Sequence, residues 1–112
     1  MEDLIIEGIL AIGAALFGAA TAYIVYKIAE KITSNNLPDI IRRAIRGSNE
    51  KKMRQHLGKM IKAHIDRADN GIVVVSISDL DDDGKDADKI QIESSSGIDS
   101  SIRQGMTIKT TV

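Results

Sequence analysis

The chain contains no cysteine, no tryptophan, one phenylalanine, two tyrosines and one proline in 112 residues. Without thiols there are no disulfides and no thiolate metal sites. With so few aromatic rings the chain lacks the stacking platforms on which single-stranded nucleic acid is read, so nucleic acid is a disfavoured partner. A Gly-rich phosphate loop and a serine in a nucleophile-elbow context are also missing. A chain this short has little room for an enzyme-sized cleft, and neither catalysis nor an obligatory cofactor is expected.

The formal net charge of −1 conceals a segregation. Residues 1–35 carry four acids and two bases, residues 36–69 nine bases and four acids, and residues 70–112 eight acids and four bases. Three charge regimes imply three physical environments.

From Gly8 to Tyr26 no residue is charged. At ~1.5 Å per residue such a helix spans roughly 28 Å, close to the ~30 Å hydrocarbon layer of a bilayer. Tyr23 and Tyr26 stand at its end, where amphipathic rings favour the headgroup region. Ala20-Thr21-Ala22 resembles a signal-peptide cleavage tripeptide, but the first seven residues carry three acids and no basic n-region. The expectation is a single transmembrane anchor over residues 1–33. Basic residues lie only after the span, which places the N-terminus outside and the C-terminal domain on the cytoplasmic, inner side. Gly8, Ala11, Ala15, Gly18 and Ala22 recur at spacings of three and four. That makes a small-residue seam suited to helix self-association in lipid.

Residues 34–47 read as a basic juxtamembrane linker with a short helix from Pro38 to Arg46. Residues 48–112 read as a small α+β domain. Met53, Leu57, Met60, Ile61, Ile65 and Ala68 predict an amphipathic helix from about Asn49 to Ala68. Lys27, Lys31, Arg42, Arg43, Arg46, Lys51 and Lys52 are candidate contacts to lipid headgroups or other phosphates. The runs 72–78 and 89–94 predict an antiparallel hairpin, and 106–112 a third strand. The expected fold class is therefore α+β: one membrane helix, a short helix, an amphipathic helix and an antiparallel sheet of about three strands.

Asp79-x-Asp81-x-Asp83-Gly84 has the opening of a calcium loop of the EF-hand or dockerin kind, making Asp79, Asp81 and Asp83 candidate ligands of a weak calcium site. The resemblance covers six positions only. Ala87 and Ile90 stand where further ligands belong. The functional expectation is a small membrane protein with a structural or assembly role, homo-oligomeric through its helix seam. It would present its domain to a protein partner, as in a membrane-containing virion or envelope complex. The alternative is a membrane-permeabilising effector of the holin or toxin kind.

Overall fold

The computed structural model describes residues 8–12, 22–80 and 87–112. Among these residues six strands and two helices follow one another. These are β1 (Gly8–Ile12), β2 (Tyr23–Ile28), α1 (Leu37–Gly47), α2 (Lys51–Arg54), β3 (Met60–Asp69), β4 (Ile72–Asp79), β5 (Asp88–Ser94) and β6 (Thr107–Thr111). The strands form one mixed sheet in the order β1-β2-β5-β4-β3-β6. β2 and β5 run parallel; every other neighbouring pair is antiparallel.

Alternation decides which strand positions enter the core. Ile61, Ala63 and Ile65 of β3, Val73, Val75 and Ile77 of β4, and Ile90 and Ile92 of β5 are fully buried. Ile24 and Ile28 of β2 join them in one apolar cluster. The same cluster takes in Leu37, Ile40, Ile41, Ala44 and Ile45 of α1, whose three- and four-residue spacing is one stripe of a 3.6-residue helix. Pro38 sits in the first turn of α1, where its missing N–H is no loss. Asp39 near the start and Arg46 near the end match the helix dipole. Just upstream, Asn36 Oδ1 accepts from the Thr33 N–H (2.7 Å) and its Nδ2 donates to the Lys31 carbonyl (2.7 Å), fixing the turn that leads into the helix.

The expected membrane anchor is not what the structure shows. Gly8 stands opposite Lys27 and Ile12 opposite Tyr23 in an antiparallel ladder, a pairing impossible for two ends of one helix. Among the described residues no helix is long and apolar enough to cross a membrane. The single-pass location and the orientation are corrected with it. Gly8 and Ala11 belong to a strand, Ala22 is buried where β2 begins, and Ala15 and Gly18 lie outside the described residues. The uncharged stretch matched a bilayer in length. Its C-terminal end, Tyr-Ile-Val-Tyr, is β-branched and aromatic, as suits the start of a strand that pairs on both sides.

The expected amphipathic helix is corrected too. Only Lys51–Arg54 is helical, and the chain then turns through Gly58 at φ +81° into a ten-residue strand. Ile61 and Ile65 satisfy the spacing of a helix stripe and also that of a strand face. With Ala63 between them and Lys62 and His64 pointing the other way, the strand period wins. The fold is thus a six-stranded mixed sheet with one main helix, in place of a membrane helix followed by a three-stranded sheet.

A buried aspartate–histidine–aspartate site

The helix layer and the sheet meet at one end of the molecule through His56. Met53, fully buried, anchors the single turn of α2. The chain then tightens: the His56 N–H donates to the Met53 carbonyl (3.2 Å) and the Lys59 N–H to the His56 carbonyl (3.1 Å). The His56 ring is thereby turned toward the sheet and is only 8% exposed. Two carboxylates meet it. Asp79 ends β4 on the same side as Val73, Val75 and Ile77; Asp88 opens β5 on the side of Ile90 and Ile92. The Asp79 Oδ1 lies 2.9 Å from His56 Nδ1, and the Asp88 Oδ2 lies 2.7 Å from His56 Nε2. Asp88, itself buried, uses its other oxygen to accept the Ala22 N–H at 2.9 Å. Lys59 Nζ reaches the second oxygen of Asp79 at 3.4 Å.

A neutral imidazole carries one N–H and can donate to only one of these carboxylates. Satisfying both requires the imidazolium. The hydrogen bond to Asp88, helped by that to Asp79, therefore holds the His56 pKa above its ordinary value despite burial. The bond from His56, seconded by Lys59, holds the Asp79 carboxyl below the usual carboxylate range. Two carboxylates, one imidazolium and one ammonium sum to zero charge, which is how ionised groups are tolerated away from water.

This geometry limits the chemistry. Both ring nitrogens are engaged, so no lone pair is presented to a substrate or a metal ion. The carboxylates stand at opposite edges of the ring and do not converge on one point. Among the described residues no group of three or more His, Cys, Asp or Glu side chains could hold a metal ion. Of the candidate calcium ligands, Asp79 is committed to His56 and Lys59, while Asp81 and Asp83 lie outside the described residues.

Immediately beside the ion cluster is an open groove of about 600 Å³ lined by Lys59, Met60, Asp79 and Leu80. Met60 (45%) and Leu80 (42%) are the two exposed large apolar side chains among the described residues. They are held side by side, because the Leu80 N–H donates to the Met60 carbonyl at 3.2 Å. The sheet face turned away from α1 carries a second polar group. Lys89 Nζ donates to Ser76 Oγ (2.7 Å) and to Asp66 (3.0 Å), and Ser76 donates to Asp66. An ammonium shared between a hydroxyl and a carboxylate is an ion-pair partner, and this network braces the irregularity in β3 between Ile65 and Arg67.

The basic residues singled out in the sequence are dispersed. Lys27 lies on β2 near Glu93, 3.9 Å away. Arg42 and Arg43 bond Asp39, with Arg42 also donating to the Thr111 carbonyl and Arg43 to Glu30. Arg46, Lys51 and Lys52 are exposed around the α1–α2 corner, and Lys31 is exposed just after β2. The ion cluster itself was not legible in advance. His56 is 23 residues from Asp79 and 32 from Asp88, and no local spacing announces the meeting.

Fold and site together describe a small mixed-sheet α/β domain closed at one end by a buried, fully engaged charge cluster. No protein-family model, curated protein or solved structure matches the chain.

Proposed function

We propose that the chain is a non-catalytic assembly module whose copies associate through the Met60–Leu80 end. One observation carries this reading: the two exposed large apolar side chains of the described surface lie together in one groove. Scattered exposed apolar residues need no explanation, whereas adjacent ones in a concavity favour a partner. A second copy is the partner the rim suits. Lys59 and Asp79, themselves an ion pair at 3.4 Å, edge the apolar pair with both signs of charge, so a second copy related by a two-fold axis meets a rim with no net charge to repel it. The ordinary form of the His56 cluster, with no free lone pair, supports a structural role over a catalytic one.

Two apolar side chains per copy are far short of the roughly 800 Å² per partner of a standard interface, so the association is weak, with Kd on the order of micromolar or higher. Sedimentation velocity of the full chain over a concentration series tests this. The sedimentation coefficient rises with concentration for the wild type and stays flat for Leu80→Asp. A concentration-independent monomer for both removes the proposal.

A further inference from the structure

The same cluster that walls the groove is built to respond to a proton. The charged groups facing the His56 ring are Asp79 from the end of β4 and Asp88 from the start of β5; Lys59, from the turn after α2, sits behind Asp79. β2 contributes a backbone group, the Ala22 N–H held by Asp88. Two strand ends thus meet at one ring, each carboxylate on a different ring nitrogen, and the start of β2 is tied in through Asp88. We infer that His56 is a proton-operated latch: as the imidazolium it ties the ends of β2, β4 and β5 together and fixes the Asp79 wall of the groove, and on losing a proton it releases one of the two carboxylates.

Loss of one N–H cannot be absorbed by tautomerism, because either neutral tautomer leaves one nitrogen lone pair facing a carboxylate. Asp88 is the more strongly retained partner, being buried and closer to the ring, and it also holds Ala22. Asp79, about one-third exposed and shared with Lys59, is the partner that leaves. Asp79 leads directly into Leu80, so its release moves a groove wall and leaves the core strands in place. The consequence for association rests on the assembly reading; the latch itself does not.

NMR on the full-length chain tests it, with the ring signals of His56 and the exposed His64 followed from about pH 5 to about pH 10. Expected is a His56 midpoint above the ordinary histidine value of about 6.5, with the amide signals of Asp79 and Leu80 and the Met60 methyl moving at the His56 midpoint. In His64→Gln those shifts persist; in His56→Gln they vanish. A His56 midpoint at or below about 6.5, or a His56 transition that leaves Asp79 and Leu80 unmoved, overturns the latch. Should His56→Gln not fold, the wild-type titration decides alone. Sedimentation at both ends of the pH range separates the two ideas. Association that weakens about tenfold or more across the His56 midpoint supports the coupling. Association equal at both ends overturns it. No association at any pH removes the assembly reading while the NMR result still judges the latch.

Discussion

At His56 a single side chain carries the charge balance of one end of the molecule. Removing one partner of a buried ion pair leaves the other charged and unsolvated, which costs about 3–5 kcal/mol. Asp88→Ala meets that description, and it also strands the Ala22 N–H. We expect that loss in urea denaturation near pH 6. Asp79→Ala costs clearly less, because water already reaches its carboxylate. The pH dependence has a definite sign. His56 has its pKa raised by the native bonds, so its contribution is complete below the unfolded value of about 6.5 and declines as pH climbs through the native one. Asp79 is shifted the other way; its contribution is complete above about 4 and disappears as pH falls through the native value. The unfolding free energy should be largest between these limits, with an alkaline decline that His56→Gln abolishes. A stability curve that is flat on the alkaline side would contradict this.

At the scale of the element, the β3–β4 turn shows how a backbone requirement singles out one residue. Asn70 and Gly71 both adopt positive φ, 52° and 76°, the pairing that a tight two-residue hairpin prefers. A Cβ on Gly71 would lie 2.8 Å from the Ser94 carbonyl oxygen on β5, whereas one on Gly58, also at positive φ, meets nothing within 4 Å. Gly58→Ala therefore bears only the conformational penalty of about 1 kcal/mol, and Gly71→Ala bears that plus a backbone clash, about 2 kcal/mol or more. Thermal melts of the two variants should rank them in that order. The turn was not read as a hairpin, because the helix expected through Ala68 left no strand before Asn70-Gly71. The strand character of 72–78, rich in β-branched residues, and of 89–94, where apolar and polar residues alternate, was legible, as was the stripe of α1 behind Pro38. The long amphipathic helix failed because Met53, Leu57, Ile61 and Ile65 fit two periods at once. Which period prevails was settled at Gly58, and then by the antiparallel partners that β3 finds in β4 and β6. Those partners are tertiary facts.

At the scale of the whole molecule, what could not be read, apart from the β4–β5 pairing, was which strands meet. β2 and β5 pair in parallel although Tyr23 and its partner Lys89 are far apart in the chain, and that pairing brings the Ala22 N–H to Asp88 of the cluster at His56. The membrane reading failed at the same scale: lack of charge measures apolarity, and a central sheet strand needs it as much as a bilayer helix does. The two architectures make opposite demands on one pair of positions. Leu10 and Val25 are direct partners across the β1–β2 ladder, which puts their Cα atoms about 4.5–5.5 Å apart. One helix through the same residues would separate them by roughly 22 Å. The chain has no native cysteine, so the double variant Leu10→Cys, Val25→Cys is a clean reporter. A disulfide accepts Cα separations up to about 6.8 Å and nothing near the helical figure. Under mild oxidation the double variant should form an intramolecular crosslink in high yield, seen as a two-dalton mass loss in intact monomer, while each single variant does not. Failure to crosslink within one chain would remove β1 from the sheet and reopen the question of what the N-terminal apolar stretch packs against.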